Sequence, residues 1–191
     1  MPVVTTASIL ELKQQVRAHW ENEPCGTRYG GNGDRLSWFR EIETSRYRLE
    51  PYIPGFARFD EAAGRNVLEI GVGAGTDFLQ WCRHAGHATG VDLTTAALVL
   101  TSERLHLEGI AENRYTLRQG DAEALPFATA SFDIVYAWGV LHHSPDTGAG
   151  FREAFRVLKP GGILRAMVYH VHSWTGLMLA GVHGIAKGRY V

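Results

Sequence analysis

Residues 67–75 read VLEIGVGAG, an apolar run that ends at an acid and is followed by three closely spaced glycines. An apolar run of this kind is typical of a buried parallel strand. Glycines directly after such a strand are typical of the turn into a helix where doubly wound folds bind their ligands. Glycine permits a sharp turn and lets a ligand approach the main chain closely. The stretch therefore predicts both a fold and a ligand-binding edge.

From residue 65 onward, short β-rich runs alternate with helical ones. We predict strands at 66–70, 88–92, 115–119, 133–138 and 162–169, with helices at about 76–85, 95–108 and 148–158. This alternation requires right-handed crossovers and a parallel sheet covered on both faces. The predicted fold is α/β, a Rossmann-like open twisted parallel sheet with helices on both faces, and a ligand is expected beyond the carboxyl ends of the strands.

The first part of the chain shows helical periodicity and no predicted strands. Residues 8–20 and 36–50 place apolar side chains at helical intervals, and the glycine-rich segment CGTRYGGNGD (25–34) separates them. We assign residues 1–60 to an N-terminal helical cap or lid and residues 61–191 to the Rossmann-like domain. Tyr29 is a candidate lid residue, because the glycines around it would let the segment move.

Composition limits the classes of partner. The chain has 191 residues, a net charge of −1 and no run of like charges, which argues against a nucleic-acid partner. Cys25 and Cys82 lie far apart, which suggests neither a disulfide framework nor a metal site. The longest apolar stretch, 174–186, is short for a membrane span of roughly 20 residues. We expect a cytoplasmic protein without a membrane span.

Three carboxylates indicate the charge of the ligand. Glu69, Asp92 and Asp121 lie at the ends of the first three predicted strands. They would repel a pyrophosphate and attract a cationic, adenosine-like ligand. The glycine spacing also argues against a phosphate-binding loop. Thr76 stands where a dinucleotide fingerprint has its third glycine, and the loop lacks the lysine of a P-loop.

Four segments, in this order, carry a resemblance to a known family: VLEIGVGAGTD (67–77), GVDLT (90–94), GDAEALPFATASFDIVYAWGVLHH (120–143) and LKPGG (158–162). On these segments the chain resembles the class I S-adenosylmethionine-dependent methyltransferases, in the broad bacterial group that includes quinone and small-metabolite methylating enzymes. The resemblance implies S-adenosyl-L-methionine as cofactor. It also implies in-line transfer of the cofactor's methyl group to a small-molecule acceptor.

The resemblance assigns roles to individual residues of the first two segments. Gly71 and Gly73 would let the backbone approach the methionine and ribose parts of the cofactor, with Glu69 near its amino group. Asp92 would bind the ribose hydroxyls and Leu93 would pack on the adenine. A helix N-cap is the structural alternative for Asp92.

The resemblance extends these roles along the chain. Asp121 would accept from the adenine amino group, the Ala122 backbone would contact a ring nitrogen, and Trp138 would face the methionine part and the substrate. Structural alternatives stay open here as well. Asp121 is also a typical turn residue, Trp138 can be core filler, and Gly75 can serve either the cofactor or close helix packing.

Two histidines follow the fourth predicted strand. His142 is the candidate general base, because imidazole titrates near neutrality, and His143 is a candidate substrate-facing or lid residue. Paired histidines are frequent in this loop across the family whatever the acceptor, so a structural role is the alternative for both.

The chain departs from the family after the fifth predicted strand. Members of the family usually add two further strands, whereas residues 170–191 read as one apolar helix. We expect either a fragment of a longer protein or a shortened variant that borrows a sheet edge from a partner, for example in a homo-oligomer. Two other functions stay open: a cofactor-binding module without catalysis, and a nicotinamide-dependent oxidoreductase, against which Thr76 counts.

Overall fold

The computed structural model describes residues 6–169, which form a sheet of five strands with helices on both of its faces. The strands are β1 (Asn66–Ile70), β2 (His87–Asp92), β3 (Tyr115–Gln119), β4 (Phe132–Trp138) and β5 (Leu158–Met167). The helices are α1 (Thr6–Asn22), α2 (Arg35–Leu49), α3 (Ile53–Ala57), α4 (Thr76–His84), α5 (Thr95–Leu107) and α6 (Thr147–Val157).

All strand pairs are parallel, and their order across the sheet is β3-β2-β1-β4-β5. Strand β1 is central, since Val67 lies opposite Ala88 of β2 on one side and Ile134 of β4 on the other. The chain therefore winds outward in one direction as far as β3 and then returns to the other side of β1. Doubly wound folds bind ligands at such a switch point. The predicted fold class is confirmed.

Alternating side chains of β1 serve two separate cores. Val67 packs with Phe78 and Trp81 of α4 on one face, and Leu68 packs with Ala154 of α6 on the other. These residues are all fully buried. Strand β1 is thus enclosed on both faces, which explains its nearly continuous apolar sequence.

Strand β5 begins four residues earlier than the prediction at residue 162. Its pairing with β4 shifts from Phe132 opposite Leu158 to Ile134 opposite Ile163, so the LKPGG segment forms a bulge within the strand. Proline and glycine suggested a loop before the strand, but an edge bulge accommodates both residues.

The N-terminal helices pack on the sheet domain. Ile53, Ala57 and Phe59 belong to the same core as Val67 of β1. Glu21 of α1 accepts hydrogen bonds from the Thr95 and Ala96 amides at the start of α5, at 3.2 and 2.9 Å. The boundary at residue 60 stays a prediction.

The predicted apolar helix at 170–191, and with it the question of further strands, lies outside the described residues. Within residues 6–169, no helix combines the length and the apolar character that crossing a bilayer requires.

Candidate functional site

A cavity of about 660 Å³ lies at the carboxyl ends of β1, β2 and β4. Most of the residues predicted from the sequence line it: Tyr29, Glu69, Gly71, Gly73, Asp92, Leu93, Asp121, Ala122, Trp138 and His143. Gly75 and His142 do not belong to its wall. Residues of α1 and α2 line another part of the cavity, and the sequence, which predicted a cap over residues 1–60, did not indicate which of its helix residues do so.

The backbone of the glycine loop has the conformation that glycine favours. Gly71 has φ +80° and Gly73 has φ +52°. The Gly71 amide donates to the Val91 carbonyl of β2 at 2.7 Å. A Cβ on Gly71 would lie 2.3 Å from a methyl group of Val140, so the neighbouring loop also requires a bare backbone at this position.

Gly75 lies at the start of α4, with φ +71°. A Cβ at this position would lie 3.0 Å from the side chain of Thr101 on α5. This contact, together with the place of Gly75 outside the cavity wall, supports its alternative role in close helix packing.

The Asp92 carboxylate is held at the mouth of the glycine loop. Its Oδ2 accepts from the Gly73 amide at 3.2 Å, and its Oδ1 accepts from the Thr94 amide and hydroxyl at 3.0 and 2.9 Å. Thr94, and not Asp92, is the N-cap of α5, because its side chain accepts from the Ala97 amide. The N-cap alternative for Asp92 is therefore wrong. These three hydrogen bonds fix the orientation of the carboxylate on the cavity wall.

Glu69 is a buried carboxylate on the cavity wall, with 4 % of its surface exposed. Its Oε2 has no hydrogen-bond partner among the described residues. Burial raises the pKa of Glu69 well above its usual range, and the nearby carboxylates of Asp77 and Asp92 raise it further, while Arg46 opposes the shift. A cationic donor from a ligand would satisfy this oxygen.

Sequence reasoning missed Asp77, in the first turn of α4. Its carboxylate accepts from Arg46 at 2.5 and 3.0 Å, from the Tyr136 hydroxyl at 2.8 Å and from the Tyr47 hydroxyl at 3.1 Å. The signal was an acid directly after the glycine loop, where the helix dipole favours negative charge. These contacts attach α2 to the floor of the cavity.

Asp121 marks the opposite end of the cavity. Its Oδ1 accepts from the Glu123 amide at 2.9 Å, as a turn residue does, and its Oδ2 lies 2.6 Å from Lys13 Nζ of α1. Lys13 also pairs with Glu123 Oε2 at 2.6 Å. No local pattern links Lys13 to carboxylates more than a hundred residues away.

The two histidines occupy different surroundings. His143 lines the cavity, and its ring lies edge-on to Trp20 of α1 with centroids 5.4 Å apart. His142 lies outside the wall, against Tyr169 at 4.7 Å, and both of its ring nitrogens are buried without partners among the described residues. Burial lowers the pKa of His142 to about 4, with a smaller contribution from His143. The geometry therefore favours His143 over His142 as the residue that faces a substrate, and a catalytic role for either stays a prediction.

Trp138 serves both the core and the cavity. Its indole N–H donates to Glu50 Oε1 at 3.2 Å. Its ring lies 6.3 Å from that of Tyr136 at 21° and 5.3 Å from the ring of Phe56. Packing fixes the orientation of the indole on the cavity wall.

Tyr29 occupies a short 3-10 turn, Thr27–Tyr29, beside the cavity. It packs against the small core of Phe39 and Ile42, and its hydroxyl accepts from Arg28 at 2.8 Å. Its role as a lid stays a prediction.

Comparison with known sequences identifies the family. The profile described as "Methyltransferase domain" matches residues 68–166, more than half of the chain. Erythromycin 3''-O-methyltransferase of Saccharopolyspora erythraea is 38% identical over 104 residues, which cover 53% of this chain and 33% of that protein. The 27-O-demethylrifamycin SV methyltransferase of Amycolatopsis mediterranei is 34% identical over 124 residues, 64% of this chain and 44% of that protein. The chain thus matches less than half the length of each of these curated relatives.

Comparison with solved structures gives the same fold. YcgJ from Bacillus subtilis is 33% identical with a TM-score of 0.53, over 56% of this chain and 47% of that one. The [4+2]-cyclase SpnF is 26% identical with a TM-score of 0.59, over 80% of this chain and 58% of that one. Geranyl diphosphate C-methyltransferase from Streptomyces coelicolor A3(2) has a TM-score of 0.66 over 89% of this chain and 72% of that one, and at 19% identity it shows the fold alone.

These findings confirm the resemblance that the sequence motifs carried. The profile covers nearly all of the span from β1 to β5, and the predicted site residues on the cavity wall lie within it, apart from Tyr29. The chain belongs to the methyltransferase domain family, whose cofactor is S-adenosyl-L-methionine.

Proposed function

We propose that this chain binds S-adenosyl-L-methionine at the carboxyl ends of β1 and β2 and transfers its methyl group to a small-molecule acceptor. The observation that carries the proposal is the unpartnered Oε2 of Glu69, buried beside the bare backbone of Gly71 and Gly73. A buried polar atom without a partner is costly, so it favours a ligand that supplies a donor. The amino group of the cofactor is such a donor.

The other groups on the wall fit the remaining parts of this cofactor. The Asp92 carboxylate is held by Gly73 and Thr94 at the end of β2, where a ribose would meet it. Asp121 follows β3 on the same cavity wall, and its carboxylate would accept from the adenine amino group. Both acids are half-buried and belong to the wall of one cavity.

When bound, the cofactor supplies a methyl group already activated on a positive sulfur, so the protein's task is to position the acceptor and exclude water. Trp138 is fixed by Glu50 and by aromatic packing, which makes it a rigid part of the acceptor wall. His143 lies on the same cavity wall and can receive a proton if the acceptor must lose one.

The relatives support a small-molecule acceptor. By their names, erythromycin 3''-O-methyltransferase and 27-O-demethylrifamycin SV methyltransferase act on small molecules. The net charge of −1 agrees with this choice, because a nucleic-acid substrate would favour a basic face.

Calorimetric titration with S-adenosylhomocysteine tests the binding step. We expect Asp92→Asn to weaken binding by at least tenfold, since it removes a charged acceptor from the ribose. Asp133→Asn is the matched control: Asp133 is the second residue of β4, at the amino ends of the strands, and accepts from the Asn66 amide and from Lys159. Unchanged affinity in Asp92→Asn, or no binding by the parent chain, would contradict the proposal.

A second candidate is a cofactor-binding protein that does not transfer a methyl group. It is favoured by the likeness to SpnF, a [4+2]-cyclase on the same fold. Incubation with methyl-labelled cofactor and a panel of small alcohols, phenols and amines separates the two candidates. Cofactor binding without labelled product across the panel would favour the second.

A further inference from the structure

The end of the cavity near Trp138 is rich in large apolar and aromatic side chains. Its wall combines Leu49, the last residue of α2, with Glu50, Trp138 of β4 and Tyr169 after β5, and Trp20 of α1 lines the same cavity beside His143; we call these residues the acceptor end. Leu49 is 54% exposed and Tyr169 is 62% exposed, although both are large apolar side chains. Exposed apolar groups gathered at the mouth of a cavity mark a surface that a ligand can cover.

The apolar surface continues outside the cavity. The ring of Tyr52 lies 5.7 Å from that of Trp138, and the ring of Phe56 lies 5.3 Å from it. Both rings are exposed, at 58% and 40%. A planar molecule that leaves the cavity here would meet aromatic groups along its path, and ring stacking favours flat ligands.

Each Lys or Arg side chain on the described cavity wall has a partner. Arg46 is paired with Asp77 at 2.5 Å and with Glu50 at 3.4 Å. Lys13 is paired with Asp121 and Glu123. Among the described lining residues, Arg28 is the remaining Lys or Arg side chain, and it donates to the Tyr29 hydroxyl.

Carboxylates outnumber these cations. The described lining residues include Glu23, Glu50, Glu69, Asp77, Asp92 and Asp121, against Lys13, Arg28 and Arg46. This excess of negative charge suits a cationic cofactor and opposes an anionic acceptor.

An amine finds little to bind at the acceptor end. Glu50 already accepts from the Trp138 indole, from Arg46 and from the Tyr52 hydroxyl. Asp77 already accepts from Arg46, Tyr47 and Tyr136. Their oxygens therefore offer a cationic acceptor little unused hydrogen-bonding capacity.

We infer that the acceptor end takes an uncharged, planar and largely apolar molecule, bounded by Trp20, Trp138 and Tyr169. This inference rests on the proposed function, because the acceptor end is the part of the cavity that the cofactor would leave free.

Equilibrium dialysis of the S-adenosylhomocysteine-saturated protein against three probes with the same ring system tests it. The probes are naphthol, which is uncharged, naphthyl phosphate and the ammonium form of naphthylmethylamine. We expect naphthol to be retained at least tenfold more tightly than either charged probe. Equal or tighter binding of a charged probe, or no retention of naphthol, would overturn the inference.

A pair of variants locates the bound ring. Tyr169→Ala should weaken naphthol binding by about threefold to tenfold, the range expected for one lost aromatic contact. Phe155→Ala is the matched control, because Phe155 is 63% exposed on α6 and does not line this cavity. Equal effects of the two variants would place the ring elsewhere and overturn the inference.

Calorimetry with S-adenosylhomocysteine alone separates this inference from the proposed function. If the parent chain did not bind S-adenosylhomocysteine, the proposed function would be contradicted. Intact cofactor binding together with a preference for a charged probe would overturn the inference only.

Discussion

Arg46 of α2 holds Asp77 of α4 through two hydrogen bonds to different carboxylate oxygens, from Nε at 3.0 Å and from Nη2 at 2.5 Å. The pair joins the N-terminal helices to the helix that begins at the glycine loop. Asp77 has 2% of its side chain exposed and Arg46 has 22%. Because this pair is largely shielded from water, its partners depend on each other strongly.

Arg46→Met should destabilise the fold by about 3 kcal/mol, because it leaves Asp77 buried without its cation. Urea unfolding followed by circular dichroism measures the change. Arg35→Met is the control, since the Arg35–Glu103 pair is 44% and 39% exposed and should contribute less than about 1 kcal/mol. Similar losses in both variants would show that burial of the Arg46–Asp77 pair does not matter.

Cofactor affinity should rise with pH because of Glu69. Its pKa is raised by burial and by the neighbouring carboxylates, so the group holds a proton at a higher pH than usual. A cationic amino group favours the ionised form, so binding releases this proton and tightens as pH rises through the raised pKa, by at most about tenfold per pH unit.

Calorimetry across a pH series that rises from about 4.5, near the ordinary pKa of glutamate, in buffers with different heats of ionisation, detects the released proton. The Glu69→Gln variant should bind more weakly and lose this pH dependence, because its amide does not titrate. A wild-type affinity that stays constant over the range would contradict the expectation.

The ion pairs of Lys13 should hold α1 against the rest of the protein. It pairs with Asp121 and Glu123 at 2.6 Å each, with 25% of its side chain exposed. Lys13→Met should speed backbone hydrogen exchange along α1 while lowering global stability by less than about 1 kcal/mol. Lys159→Met is the control, as Lys159 pairs with Asp133 at the other edge of the sheet. Unchanged exchange in α1 would show that other contacts hold the helix.

Gly71 should tolerate alanine less well than Gly109. Both have positive φ, +80° and +69°, but an added Cβ meets Val140 at 2.3 Å in the first case and nothing within 4 Å in the second. Gly71→Ala should therefore cost about 1–3 kcal/mol more than Gly109→Ala, the usual penalty for overpacking. Thermal unfolding of the two variants measures the difference. A second substitution, Val140→Ala, should restore part of the loss in Gly71→Ala, and failure to do so would rule out the steric cause.

Much of the candidate site could be predicted because a parallel sheet brings its carboxyl ends to one edge. Glu69, Asp92 and Asp121 follow three different strands, and all three line one cavity. Gly75 and His142 lie outside the cavity wall. Position in a motif does not say which way a residue faces.

The start of β5 was predicted wrongly for a local reason. Proline and glycine in LKPGG favour a turn, and only the pairing of β4 with β5 shows that the segment is a bulge within a strand. Here the pairing between β4 and β5 outweighs the preference of proline and glycine for a turn.

The sequence by itself predicted the fold and the strand-end carboxylates of the site, because hydrophobic period, glycine spacing and strand-end acids are all local patterns. The resemblance of its motifs to a known family added the cofactor and further residues of the cavity wall. Only the tertiary structure decided which distant groups meet there: Lys13 with Asp121, Arg46 with Asp77, and Trp20 with His143. The physical reason is that a pair of charges or rings far apart in the chain leaves no periodic trace. Such partners are selected by packing, which depends on the whole fold.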